Sequence, residues 1–260
     1  MFIGSEALAG GALSRGQLRW NFRAIYPNVY MPKDATPSLE DRAAAAWLWS
    51  GRRAVIAGLA AAALHGARGV DDSTDIELIW RCGRPPSGIV VRNERIEADE
   101  IAELAGLRVA SPERTALDLA RHTERNFAVT HLDALARATG ITRADALRLT
   151  DRYAGAPGLL HSIAALGLMD GGSKSPSETS VRLALIDAGF PAPRTDLVGM
   201  AMGYEAPMVG VEFGSGTPRL GWKLIPAANM RSPHAIVYLV RAAVIERGYP
   251  PWRWQRFLSA

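Results

Sequence analysis

Ala54–Leu64 (AVIAGLAAAAL) constrains the fold more than any other stretch, because it is the longest apolar run and most of it is alanine or glycine. It is too short to cross a bilayer, which needs about 20 apolar residues. Its small side chains let neighbouring backbones approach closely, so Gly58–Gly66 reads as a tightly packed small-residue helix. The rest of the chain suits a globular protein: 48% of residues are hydrophobic and 22% charged, which excludes disorder on a large scale. A single cysteine, Cys82, excludes an internal disulfide framework and suits a reducing compartment. The N-terminus has no basic segment followed by an apolar core, so the expected location is cytoplasmic, without a membrane partner.

Around the alanine run, helix and strand signals alternate. Ser38 is placed to cap a helix running through Trp49. Thr74–Trp80 alternates polar and apolar residues like a half-buried strand, and Ile89–Val91 and Leu107–Val109 are further strand candidates. The acidic stretch Glu97–Glu103 between them reads as helical. Ser111 and Pro112 begin a helix as N-cap and first-turn residue. Further helices are expected at about 124–139, 142–153 and 158–169, with Thr142 as a cap. This is an α+β domain, a small sheet followed by a helical bundle. The small, polar stretch Asp170–Pro176 then marks a boundary.

Charge is uneven along the chain. Residues 1–57 carry +3, residues 217–260 carry +6 and the segment between them −5, for a net +4. Basic ends around an acidic middle fit ends that meet phosphate and a middle that meets protein. The front of the chain favours DNA. Ser5–Gly10 reads as a short helix broken by Gly10-Gly11, and Ser14 caps a second helix, SRGQLRWNF, with Leu18 and Phe22 on one face. Arg15, Gln17, Arg19, Asn21 and Arg23 lie between those apolar positions, side chains that read bases or hold phosphates. AIYPNVYMP follows as two β-prone pieces around Pro27-Asn28, a wing in which Tyr26, Asn28 and Tyr30 would set the geometry. Helix, break, basic helix and hairpin is the order of a winged helix-turn-helix, and its partner would be double-stranded DNA.

Three stretches together resemble AbiEi-type antitoxins, regulators of type IV toxin–antitoxin systems. SEALAGGALSRGQLRWNFRAIYPNVYMP is similar to their winged-helix start. AVIAGLAAAALHG and VASPERTALDLAR are similar to two landmarks of their second domain, the latter through Ser111, Pro112, Arg114, Thr115 and Asp118. The resemblance implies DNA-binding autoregulation and, for true antitoxins, neutralisation of a nucleotidyltransferase toxin encoded nearby.

The C-terminal part resembles the very-short-patch-repair-like domain of the PD-(D/E)XK nuclease superfamily. Its landmarks are SPxE-x-x-x-R, a glycine-containing strand segment and a second strand ending in glutamate, matched here by Glu178, Arg182, Gly203, Glu205 and Glu212. The expected aspartates are Ala201 and Gly214, histidines are replaced by Thr217 and Pro218, and the lysine-bearing helix is missing between Arg219 and Leu220. Metal-assisted cleavage needs several hard oxygen ligands converging on Mg²⁺, so the resemblance implies a truncated restriction-endonuclease-like α/β domain without catalytic residues or a metal. The strands flanking the Phe213–Trp222 turn are expected to join almost directly. The three domains are expected at 1–35, 36–172 and 173–260.

Two alternatives remain. A metal-dependent endonuclease would use Glu178, Glu205 and Glu212 with Mg²⁺; a protein-interaction module would engage a toxin through the acidic middle domain. Other constellations carry less. Ser111, Asp118 and His122 lie on one helix signal and cannot form a hydrolase triad, and Arg114 and Asp118, four apart, read as a helix-surface ion pair. Asp71, Asp72 and Asp75 read as turn residues. Trp252, Trp254 and Phe257, interleaved with Arg253 and Arg256, would cover the sheet or stack on single strands.

Overall fold

The computed structural model describes residues 1–197, 201–205, 208–212, 223–227 and 232–249. The chain is mixed α+β, and its described residues form three sheets and a helical layer. Gly214, Thr217, Pro218, Arg219, Leu220 and the aromatic tail from 250 lie outside the described residues. No helix among the described residues is long and apolar enough to cross a membrane.

The first unit runs β1 (Phe2–Ile3), α1 (Gly4–Ala9), α2 (Arg15–Asn21), β2 (Phe22–Tyr26) and β3 (Val29–Pro32). Its antiparallel sheet has the order β1-β3-β2, so the two helices sit between β1 and β2 in sequence and a hairpin closes the unit. The hairpin turn is Pro27-Asn28, with Asn28 in the left-handed region at φ 64°, a conformation asparagine tolerates better than most residues. The Asn28 side chain accepts from the Ser5 N–H at 2.9 Å, tying the turn back to the start of α1.

Next comes α3 (Leu39–Trp49), capped at Ser38 as expected. It packs across the N-terminal hairpin and also against the central sheet. Tyr26 and Val29 therefore share one core with Ala43, Ala46, Ile56 and Leu78. The central sheet has the order β6-β5-β4-β8-β7, from β4 (Val55–Ala57), β5 (Ile76–Ile79), β6 (Ile89–Arg92), β7 (Ile101–Leu104) and β8 (Leu107–Ala110). Strand alternation divides β4: Ile56 enters the core beneath α3, while Val55 and Ala57 face the opposite side with Ile79 and Ala110. The acidic stretch expected to be helical is a single 3-10 turn, Ala98–Glu100, running into β7. Antiparallel pairing of Ile101–Leu104 with β8 overrides the local helix preference.

The alanine run divides into β4 and α4 (Gly58–Leu64), whose Ala60, Ala61 and Ala62 are buried. Helices α5 (Pro112–His122), α6 (Arg125–Thr139), α7 (Arg143–Thr150) and α8 (Leu159–Leu166) form the bundle beside it. Leu117, Leu119, Leu132 and Leu135 are almost wholly buried there, each stabilising by about 1.5–3 kcal/mol relative to exposure.

The last unit contains α9 (Pro176–Asp187), β9 (Met202–Tyr204), β10 (Val209–Glu212), β11 (Lys223–Pro226) and α10 (Pro233–Glu246). One face of α9 sends Leu183 into the bundle core; another sends Val181 and Leu185 into the core of the last sheet. The helix thus belongs to both sides of the connector at 170–176. β9 is antiparallel to β10, but β10 and β11 are parallel. The segment 213–222, where these two strands were expected to join almost directly, lies outside the described residues.

Candidate functional site

The polar face of α2 is built by a cap and one anchor. Ser14 Oγ accepts from the Gln17 N–H at 3.2 Å, and Gln17 Oε1 accepts from the Ser14 N–H at 2.8 Å, a reciprocal capping box. Leu18 is buried and holds the helix to the unit. Arg15, Arg19 and Asn21 are exposed, and neither arginine has an ion pair among the described residues. Arg23, just past the helix, is exposed and donates to the Ala35 carbonyl at 2.9 Å. Trp20 is 74% exposed on the same helix. The sequence carries a signal for it: two residues from Leu18 is about 200° around a helix, on the opposite face.

Four of the residues named for this unit make contacts within the protein. Gln17 is committed to the capping box. Tyr26 is buried, 6% exposed, with its hydroxyl directed to the Gly88 carbonyl at 3.5 Å. The cause is α3, which folds over the hairpin and draws Tyr26 into the shared core. Asn28 serves α1. Tyr30 is half-buried and stacks on Phe2, ring centroids 6.2 Å apart.

The carboxylates of the nuclease resemblance are not drawn into one site. Glu178 is buried and accepts from the Lys174 N–H at 2.7 Å. Glu205 is exposed and pairs with Arg194 at 2.8 Å. Glu212 ends β10. Arg182, the fifth landmark, is buried: it pairs with Asp133 of α6 at 2.8 Å and donates to the Leu168 carbonyl at 2.8 Å. Among the described residues, the one trio of potential ligand residues with atoms within 4.8 Å of one another is elsewhere, Glu94, Asp118 and His122.

That trio sits in the most charged part of the interior. Arg114 is wholly buried, not on the helix surface as its spacing suggests. Its Nε contacts both Asp118 oxygens at 2.9 and 3.0 Å, and its Nη atoms reach Glu100 at 2.9 Å, Glu94 at 3.2 Å and the Arg95 carbonyl at 2.8 Å. Tyr153 adds its hydroxyl, and its ring lies under the guanidinium at 4.7 Å. Arg121 reaches Glu94 at 2.9 Å, and His122 Nε2 lies 3.1 Å from the same carboxylate. His122 and then Arg121 hold the Glu94 carboxyl down at about 2, against desolvation. Burial pushes Asp118 up to about 6 despite Arg114. Two guanidiniums already compensate these carboxylates, which suits a structural ion network better than a divalent cation. Ser111 caps α5 through the Arg114 N–H at 3.2 Å and lies outside any triad. Asp71 closes a turn on the Ser73 N–H at 2.7 Å, and Asp72 accepts from Leu39 N–H at the start of α3.

The chain is 28% identical over 216 residues to two uncharacterized proteins of Mycobacterium tuberculosis, from strains CDC 1551 / Oshkosh and H37Rv, covering 80% of this chain and 77% of each relative. Residues 54–166 match the family model of the AbiEi antitoxin C-terminal domain, the stretch from β4 to α8 that holds the whole Arg114 network, and this likeness supports an antitoxin or regulatory role.

Proposed function

We propose that the chain is an antitoxin-like transcriptional regulator of the cytoplasm that binds double-stranded DNA through α2, with a C-terminal nuclease-like domain retained for packing rather than cleavage. The observation that carries this reading is the exposed face of α2. Among the described residues Arg15 and Arg19 have no acidic partner there, and they stand beside Asn21, Trp20 and Arg23 on a helix with a full capping box. A rigid helix with free guanidiniums is what phosphate and base-edge contacts require. The order β1-α1-α2-β2-β3, with β1 beside β3, supports a winged helix-turn-helix in which α2 enters the groove. The likeness to an antitoxin domain adds a nucleotidyltransferase toxin encoded nearby as the protein partner.

The test is fluorescence anisotropy of the purified chain on its own upstream DNA and on a scrambled duplex, at two salt concentrations. Tighter, salt-sensitive binding to the upstream sequence is expected. Arg15→Ala combined with Arg19→Ala should lower the slope of log affinity against log salt by about 2, roughly 0.9 per lost phosphate contact. An unchanged slope and affinity would refute the role of α2. With Mg²⁺ present the DNA should stay intact; nicking that disappears in Glu212→Gln would overturn the non-cleaving reading.

A further inference from the structure

A cleft of about 510 Å³ opens where the loop after α4, the middle of α6 and the connector into α9 meet. Its lining includes Arg68 from the loop, His131 and Arg137 from α6, and Lys174 from the connector. Arg68 and Lys174 are exposed, and neither side chain has an ion pair or hydrogen bond among the described residues. Arg137 donates to the Ser173 carbonyl and has no ion pair among the described residues. The carboxylate in this wall, Asp133, is already used: it accepts from Arg182 at 2.8 Å, from Thr179 Oγ1 at 2.7 Å and from the Asp170 N–H at 2.7 Å. The cleft therefore presents three positive charges and no available negative one.

His131 supplies an independent sign. Its side chain lines the cleft, the residue is only 6% exposed, and its Nδ1 is buried with no hydrogen-bond partner. A buried polar atom left unpaired costs about 1–3 kcal/mol; Nδ1 has almost no accessible surface, so a small rotation of the ring would bring it to a ligand oxygen in the cleft and remove that cost. Ser175 and Pro176 also place the N-terminus of the twelve-residue α9 at its edge, an end that favours negative charge.

We propose that this cleft is a binding site for a phosphoryl group, held by Arg68, Arg137 and Lys174 with a hydrogen bond from His131. The shared chemistry is a phosphate dianion or diester, brought either by a free nucleotide or by the backbone of bound DNA. Three donor-bearing cations on separate segments suit it, because arginine forks and a lysine point charge together cover its oxygens. The site does not depend on α2 and stands if α2 proves not to bind DNA.

The test uses the full chain. Isothermal titration calorimetry with inorganic phosphate and with ADP, and anisotropy with duplex DNA, would be run on the parent and on Arg68→Ala with Lys174→Ala. Both substituted residues are exposed, so folding should be unaffected. Each lost charge is expected to weaken the phosphoryl ligand about tenfold, the size of one charged hydrogen bond. Phosphate should also shift the His131 ring resonances in NMR spectra, and His131→Gln should weaken binding without abolishing it. Weakening confined to phosphate and ADP assigns the site to a free ligand, and weakening confined to duplex DNA assigns it to the DNA backbone. If phosphate and ADP give no saturable binding at millimolar concentration and the double variant holds DNA as tightly as the parent, the proposal is overturned. Equal phosphate affinity in parent and variant overturns it as well.

Discussion

Replacing Arg114 with methionine should be among the most damaging single changes in this chain. Methionine keeps most of the apolar stem but removes the guanidinium that contacts Asp118, Glu100, Glu94 and the Arg95 carbonyl. Asp118 and Glu100 are each only 2% exposed, so they would be left as uncompensated buried carboxyls. Breaking such a pair costs about 3–5 kcal/mol, against about 0.3–0.5 kcal/mol for an exposed pair at the same helical spacing. The pH dependence is a second signature. In the parent, desolvation already raises Asp118 from 3.8 to about 6, and Arg114 is the main force opposing the rise. Without Arg114 the folded value climbs further. A raised folded value stabilises below the unfolded value and loses that contribution as pH rises through the folded one. Above about pH 6 the parent group is already ionised and adds no further slope, while the variant keeps losing up to about 1.4 kcal/mol per pH unit. Urea unfolding followed by tryptophan fluorescence, at about pH 5.5 and about pH 8, reads both effects. A deficit under about 1 kcal/mol at both values, or one that shrinks as pH rises, would refute the buried-network account.

Other consequences can be checked on the same protein. Glu94 is held down at about 2, so its contribution is present above about 4.5 and lost as pH falls through 2. Glu94→Gln should flatten the acid-unfolding profile across that window and cost about 1–2 kcal/mol at neutral pH, allowing for solvent screening of a half-buried group; a variant with the parent's acid profile would show that the carboxylate is not ionised in the network. Gly203→Ala would set a Cβ 2.7 Å from the Val209 carbonyl oxygen and 3.1 Å from the Gly210 Cα. Both are backbone atoms of the paired strand, so the change should cost about 1–3 kcal/mol, and an unchanged melting temperature would mean that β9 and β10 do not approach as described.

What could be read from sequence was what four or five consecutive residues decide among themselves. Ser14, Ser38, Ser111 and Thr142 each cap the helix expected of them, because the side chain and the N–H it accepts from are three residues apart. What could not be read depends on partners far away in the chain. Arg114 and Asp118 are four apart, which says that they touch but not that Glu94, Glu100 and Tyr153 enclose them. Tyr26 reads as a wing residue until α3 folds over it. Residues 101–104 read as helix because alanine and glutamate favour one locally, whereas the hydrogen-bonding edge of β8 decides the outcome. On α2 the basic face was legible from its spacing, but the commitment of Gln17 to the cap and the exposure of Trp20 needed coordinates.

The same distinction bears on the nuclease-like landmarks, whose residues the fold already occupies. Ser175 accepts from the Glu178 N–H at 3.2 Å, Pro176 starts α9, and the Glu178 carboxylate accepts from Lys174 N–H, so three landmarks begin one helix. Arg182, one turn further on, pairs with Asp133 and fastens that helix to α6. Gly203 is the residue that lets β9 lie against β10. Ser175, Pro176, Glu178, Arg182 and Gly203 thus each have a local physical reason that involves no metal, and α9 packs between the bundle core and the last sheet. A carboxylate that both accepts a backbone N–H and sits at a helix N-terminus is stabilised where it is. That hydrogen bond occupies Oε2, so a cation ligand at Glu178 would be Oε1. Resemblance at these positions is therefore carried by how the helix is started and fastened, and only a site that also drew Glu205 and Glu212 to Glu178 would add chemistry to it.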